Sequence, residues 1–378
     1  MFDSILTQLR SEGNYRSLPT ETGDNIIDFS SNDYLGIAKD KSLLHEFLKT
    51  IQTSSFSSSA SRLLSGHQED YQELEELIES EYQRAALLFN SGYHVNTGLL
   101  PAITAVCKVL IVADKLVHAS IIDGIVLSRA DFKRFPHNDI FFLRKIIEKN
   151  YNNYDKIIVI TESVFSMDGD RAPLNELLEI KKEFKKVLLY LDEAHAFGVE
   201  GPAGMGLSQK SNSPEEWDFL IFPLGKAAAS MGAFVVCSQK AKEFFINRSR
   251  SLIFSTALPP VQAKWSLLTI RTLFKMDKQR EHLRKLSIKL NDLISSYTVN
   301  NKNIISHISP LIIGDAHKTI ALSQYLLNNG VKALPIRRPT VQAGTERIRF
   351  SLSANLSFQD LDILERVLSK YHEKKISD

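Results

Sequence analysis

The sequence predicts an α/β chain: a mostly parallel sheet in a large domain, joined to a smaller α+β domain. Three observations predict it. From about Arg84 to Ser238, short apolar runs alternate with longer helical patterns. Those runs are rich in Val, Ile, Leu and Phe and lack period-two alternation, as suits strands buried on both faces. After Pro259-Pro260 the character changes to long helices, followed by a mixed segment of strands and helices.

Taken in order, EDYQELEELIESEY sets Tyr71, Leu74, Leu77 and Ile78 on one face and reads as a surface helix. The strands follow as AALLF, KVLIVA, KIIVITES, KVLLYLDEA, DFLIFPL and AFVVC. Between them lie amphipathic helices, SIIDGIVLSRA and PLNELLEIKKEF, the latter with Pro173 at a first helical position. SLIF, ending at Phe254, reads as a further apolar strand. Beyond the prolines come the helices VQAKWSLLTIRTLFK and EHLRKLSIKLNDLISSY. The last segment offers strands in HISPLIIG, VKALPI and ERIRFSLSA, with helices around HKTIALSQYLLNN and FQDLDILERVLSKY. The expected division is an N-terminal arm over 1–45, a large domain over 46–275 and a small domain over 276–378.

Composition excludes several classes. The chain has 378 residues, 43% hydrophobic and 24% charged, which is ordinary for a globular enzyme. A net charge of +2 leaves no electrostatic footprint for nucleic acid or an anionic membrane. Cys107 and Cys237 lie in apolar runs and make neither a metal motif nor a disulfide framework. The histidines lack H-E-x-x-H spacing, so no metal is expected. MFDSILTQLRSEG does not read as a signal peptide, and no apolar run is long enough to span a bilayer; the expected place is the cytoplasm.

The chemistry concentrates at strand ends. KVLLYLD ends in Asp192, with His195 three residues on, and DFLIFPLG is followed by Lys226. A strand-end carboxylate can hold a protonated ring nitrogen, and a lysine can form a Schiff base. Both are what a pyridoxal phosphate (PLP) enzyme needs. Asp192 could alternatively cap a helix. DEAH also matches a helicase box, but no G-x-x-x-x-G-K-[ST] loop occurs, and Ala227, not a hydroxyl residue, follows Lys226. No G-x-S-x-G elbow supports a serine hydrolase. Ser91-Gly92-Tyr93 follows AALLFN and opens a helix whose free amides could bind phosphate, or it is a plain capped turn. His118 begins another helix, where it could stack on an aromatic ring or cap.

DFSSNDYLG, SRLLSGHQEDYQELE, LLFNSGYHVN, DKLVHASIIDG, RFPHND, TESVFSMDGDRAPL, LDEAHAFGVEG, LGK, IFSTALPP and IRRPTVQAGTERIRFSLSA occur in that order. Together, over about residues 16–370, they closely resemble the α-oxoamine synthases, PLP-dependent acyltransferases of fold type I. The segment IRRPTVQAGT resembles most the subgroup of the biotin pathway, which condenses L-alanine with a pimeloyl thioester and releases carbon dioxide. The resemblance implies that Lys226 carries the cofactor and Asp192 pairs with its ring nitrogen. His195 and Ser166 would contact the phenolic oxygen side, and His118 would stack on the ring. Gly92 and Tyr93 would offer amides to the phosphate, and Ser255 and Thr256 would reach the phosphate of the neighbouring subunit in a homodimer. Asn32 and Arg349 would hold the amino-acid carboxylate; Arg16, Arg337 and Thr340 would lie on the acyl side. The acyl carrier is left open between coenzyme A and acyl carrier protein.

One departure matters. The family usually has a hydroxyl residue three before the lysine, donating to the phosphate; Pro223 stands there, and Ala227 and Ala229 replace flexible glycines. Proline offers neither hydroxyl nor amide donor. A lost charge-assisted hydrogen bond costs about 1.5–3 kcal/mol, so cofactor affinity is expected to be lower by about one to two orders of magnitude. The rival functions are a sibling synthase using glycine or serine, and a PLP-binding protein with impaired catalysis.

Overall fold

A computed structural model describes residues 2–18, 23, 25–51, 54–297 and 304–377. The chain forms two compact units. One comprises Met1–Leu35, Ser166–Asp170 and Lys278–Asp378; the other comprises Gly36–Phe165 and Arg171–Asp277.

The chain starts in the first unit with α1 (Asp3–Ser11) and the short β1 (Ile27–Asp28). It then builds the second unit from α2 (Lys41–Thr50), α3 (Glu69–Tyr82), β2 (Ala85–Phe89), α4 (Gly92–Thr104), β3 (Val109–Asp114) and α5 (Ala119–Ser128). Next come β4 (Asp131–Phe135), α6 (Ile140–Asn150), β5 (Lys156–Glu162), α7 (Leu174–Glu183), β6 (Val187–Asp192) and β7 (Phe219–Pro223). The unit closes with β8 (Ala233–Cys237), α8 (Gln239–Arg248), α9 (Arg250–Ile253) and α10 (Pro260–Leu273). Its strands form one seven-stranded sheet in the order β2-β8-β7-β6-β5-β3-β4. All neighbours are parallel except β8, which runs antiparallel to both β7 and β2.

The central strands are almost wholly buried, because helices cover both faces, and most of their side chains are apolar. Leu87, Ile111, Ile158, Tyr190, Ile221 and Val235 belong to one core cluster, against which Leu99 of α4 and Ile121 of α5 pack. β4 is the strand the sequence pattern did not show. DFKRF is exposed except at Phe135, as an edge strand carrying Lys133 and Arg134 should be. On α3, Tyr71, Leu74 and Ile78 are buried as the periodicity requires, while Leu77 is half-buried. Pro173 sits one position earlier than expected, at the N-cap of α7. SLIF is not a strand. Arg250–Ile253 forms the single helical turn α9, since an apolar run this short does not distinguish helix from strand.

The chain returns to the first unit with α11 (Asp277–Ser295), β9 (Ile308–Ile312), α12 (Ala316–Asn328), β10 (Val331–Lys332), β11 (Leu334–Ile336), β12 (Arg347–Ser351) and α13 (Phe358–Ser377). β11, β12 and β9 form an antiparallel sheet in that order, and β1 pairs in parallel with β10. VKALPI therefore splits into two short strands serving different sheets. β12 is wholly buried, and its register sets Arg349 opposite Leu334 on one side and Pro310 on the other.

Candidate active site

In the second unit, the predicted cofactor residues gather at the carboxyl ends of the strands, where open α/β sheets bind their ligands. Asp192 ends β6, Lys226 follows β7 in a tight turn, Gly92 follows β2 and His118 follows β3. Asp192 is buried; its Oδ1 accepts the Ala194 N–H at 2.9 Å, and its Oδ2 faces Asn96 Nδ2 at 3.5 Å. His195 is buried in the turn that follows. Lys226 is half-buried, and its charge is felt by both His118 and Glu162.

His118 combines both roles left open by its sequence position. It is the N-cap of α5, with Nδ1 accepting the Ser120 N–H at 3.2 Å, yet the residue is exposed by area and leaves a ring surface available to a ligand. Loss of water around its packed edge, with the Lys226 charge, lowers its pKa against the opposing pull of Asp192 and Asp123.

At the start of α4, Ser91 caps the helix by accepting the His94 N–H at 3.3 Å. The amides of Gly92 and Tyr93 precede the first intrahelical bond, so the helix leaves them for a ligand. A Cβ on Gly92 would lie 2.8 Å from Pro223 Cγ, which puts the departing proline directly beside this phosphate-type corner. Tyr93 itself is exposed, and its hydroxyl donates to Asp123. Ser255 and Thr256 lie near the same corner, and both are held within their own chain. Asn90 Nδ2 reaches Ser255 Oγ at 3.2 Å and the Thr256 carbonyl at 2.6 Å, because α9 turns the chain back toward β2. Among the described residues the Thr256 hydroxyl has no partner.

Sequence reasoning missed four buried polar residues here. Glu162 ends β5 in register with Asp192 of β6. One of its oxygens accepts the His118 backbone N–H, while Oε1 has no partner among the described residues. Burial first, then the Asp192 charge, raises its pKa well above the ordinary value, against the opposing pull of Lys226. Asn96, Ser120 and Tyr190 form a hydrogen-bonded chain behind His118 and Asp192. Glu162 and Tyr190 lie in runs that read as plain core. Asn96 sits inside the YHVN motif and Ser120 beside His118, so nearness to a motif was the only available signal.

These features fit PLP. A buried carboxylate, a lysine in a turn, an accessible imidazole face and a glycine-opened helix end match the ring nitrogen, aldehyde carbon, ring plane and phosphate. Glu162, in register with Asp192, carries a buried carboxyl oxygen without a partner among the described residues.

The first unit brings together Arg349 and Asn32 as predicted: Nη1 and Nη2 each donate to Asn32 Oδ1 at 3.2 Å. Arg349 Nε donates to the Ser166 carbonyl at 2.6 Å, placing Ser166 in this unit. Tyr34, not predicted, is fully buried; its hydroxyl donates to Asn32 at 3.1 Å, and burial pushes its pKa up to about 12. Arg16 and Thr340 also meet, Nη2 to Oγ1 at 2.9 Å, and Arg337 donates to the carbonyls of Gly13 and Tyr15. Desolvation, then the Arg16 charge, lowers the pKa of Arg337. Among the described residues neither arginine has an acidic partner.

Among the described residues no cluster of metal-ligating side chains occurs, and no helix is long and apolar enough to cross a membrane. Residues 24–368 match the model of the aminotransferase class I and II family. A protein of Neisseria meningitidis serogroup A, provisionally named 8-amino-7-oxononanoate synthase, is 45% identical over 373 residues, covering 96% of this chain and 98% of that protein. A Haemophilus influenzae protein with the same provisional name is 45% identical over 372 residues, covering 95% and 97%. The crystal structure of 8-amino-7-oxononanoate synthase from Francisella tularensis superposes with a TM-score of 0.76 at 29% identity, covering 93% of this chain and all of that one. Serine palmitoyltransferase of Sphingomonas wittichii superposes at 0.88 with 25% identity, covering 97% and 96%. The chain belongs to the class I and II aminotransferase family, in its α-oxoamine synthase branch, and is a PLP-dependent acyltransferase of fold type I.

Proposed function

We propose that the enzyme condenses L-alanine with a pimeloyl thioester to 8-amino-7-oxononanoate, carbon dioxide and free thiol, a step of biotin synthesis. The observation that carries the substrate choice is the pair Arg16 and Arg337. Two guanidiniums close enough for their charges to interact, bonded among the described residues to a hydroxyl and carbonyls, call for an anion, and the distal carboxylate of a pimeloyl chain supplies one. The 45% identity to proteins provisionally given this activity supports the same choice.

The bound cofactor supplies an electron sink for a carbanion at the alanine Cα. Arg349, oriented by Asn32 and the Ser166 carbonyl, grips the alanine carboxylate with its planar fork. Lys226, once its amine is free, takes the Cα proton and later returns one. Asp192 holds a proton at the ring nitrogen. His118 covers the ring face, and Ser166 and His195 serve the phenolic oxygen. The Gly92 and Tyr93 amides hold the phosphate, together with Ser255 and Thr256 of a second copy in a homodimer. The free thiols of Cys107 and Cys237 suit a reducing cytoplasm.

Turnover of alanine, glycine and serine against a panel of acyl thioesters tests the assignment. Alanine with pimeloyl thioester should be the preferred pair. Preference for glycine or serine with a monocarboxylic acyl group would make the enzyme a sibling synthase. Substituting Arg337 by Ala should raise KM for the pimeloyl thioester about ten- to a hundredfold with kcat nearly kept, as loss of uniform binding does.

A further inference from the structure

The chain of buried polar groups behind His118 has a direction, and that direction follows from a single group. As a carboxylate, Asp192 only accepts hydrogen bonds. Its Oδ1 is taken by Ala194 N–H, and its Oδ2 faces the Asn96 side chain at 3.5 Å. Asn96 must therefore present its amide nitrogen to Asp192, since the reverse orientation would set a carbonyl oxygen against the carboxylate. The same nitrogen lies 2.9 Å from Ser120 Oγ, which accepts from it. The Asn96 carbonyl oxygen is left for Tyr190, whose hydroxyl donates to it at 2.5 Å.

With its oxygen accepting from Asn96, Ser120 has one hydrogen to give. Its neighbour is His118 Nδ1, at 2.8 Å. The Ser120 backbone N–H also points at Nδ1, at 3.2 Å. The backbone N–H makes Nδ1 an acceptor, so the Ser120 hydroxyl donates to it as well, and two donors converge on that nitrogen. Asn96, Ser120 and Tyr190 are 0–1% exposed, so water cannot substitute for any link.

We propose that Tyr190, Asn96 and Ser120 are positioning residues that transmit the orientation set by the Asp192 carboxylate to His118 and fix it as the neutral tautomer protonated at Nε2. The imidazole thereby presents a flat, uncharged face and an Nε2–H donor on its accessible side, in one ring orientation. The charges around it agree on balance. Loss of water and Lys226 oppose the cation, Asp192 and Asp123 favour it, and the pKa of Glu162, bonded to the His118 backbone, is raised. The tautomer is set by protein groups alone, whichever amino acid or thioester the site takes.

The test is a long-range 1H–15N correlation spectrum of the cofactor-loaded protein labelled with 15N-histidine, with the His118 signals identified by their loss in His118→Asn. Nδ1 should appear as an unprotonated, pyridine-type nitrogen and Nε2 as the protonated one across neutral pH. Ser120→Ala removes a single hydroxyl, and with it the donor that stabilises the neutral ring. The backbone N–H at position 120 still holds Nδ1 unprotonated in the neutral ring, and the titration midpoint of His118 should rise by about half to one pH unit. A merely structural role for Ser120 would shift the melting temperature and leave the titration midpoint of His118 alone. A wild-type spectrum with the proton on Nδ1 overturns the proposal without any variant. So does a Ser120→Ala protein whose His118 titration midpoint is unchanged.

Discussion

Glu162 shows how burial decides the charge of a single residue. In the unfolded chain its carboxyl ionises in the ordinary range, whereas in the folded unit burial and the neighbouring Asp192 raise its pKa. A raised folded pKa means that the native state holds a proton the unfolded state has lost. Its contribution to stability is therefore complete below the unfolded pKa and is lost as pH rises toward the folded one. Glu162→Gln keeps the acceptor for the His118 amide and cannot ionise. The variant should melt at a higher temperature than the parent at neutral pH, with the difference vanishing as the solution is acidified. A variant less stable at neutral pH would show that Glu162 is ionised. Pro223 is the second residue with a clear expectation. Its ring lies against Gly92 and offers no donor. Pro223→Thr should tighten PLP binding about ten- to a hundredfold in an absorbance titration, and an unchanged affinity would mean that another donor already serves the phosphate.

At the scale of elements, the placement of the site rests on how closely α4 and α5 approach. A Cβ on Gly124 of α5 would lie 2.4 Å from the Asn96 carbonyl oxygen of α4, a backbone atom that cannot step aside. Gly124→Ala should cost about 1–3 kcal/mol through overpacking and weaken cofactor binding by shifting His118, read as a lower melting temperature and a poorer PLP titration. An unchanged melting temperature would contradict the close packing. Much of this arrangement was legible in the sequence, because a strand buried on both faces leaves an uninterrupted apolar run and its end is marked by the first polar residue. Asp192, Lys226 and Gly92 stood out in that way. β4 did not, since an edge strand needs no apolar run. α9 was misread because so short a run, with three apolar residues, fits either period, and the local partner of Ser255 was hidden because only the fold brings Asn90 to it. Arg349 and Asn32 were legible only through their motifs, being 317 residues apart in the chain.

At the scale of the whole molecule, the exposed Thr256 hydroxyl bears on assembly. Asn90 holds the Thr256 carbonyl within the same chain and leaves the hydroxyl for a phosphate, in its own chain or in a second copy. Mixing a Lys226→Ala chain with a Thr256→Ala chain separates the two. If Thr256 serves its neighbour, a heterodimer contains one intact site and activity recovers above the average of the parents; with heterodimers verified and no recovery, each chain completes its own site. The most direct measurement, however, concerns the reaction itself. With alanine labelled at its carboxyl carbon and pimeloyl thioester, labelled carbon dioxide and free thiol should appear one for one, and only when PLP is bound. Thiol released without labelled carbon dioxide, or carbon dioxide released without the thioester, would contradict a decarboxylating condensation at this site.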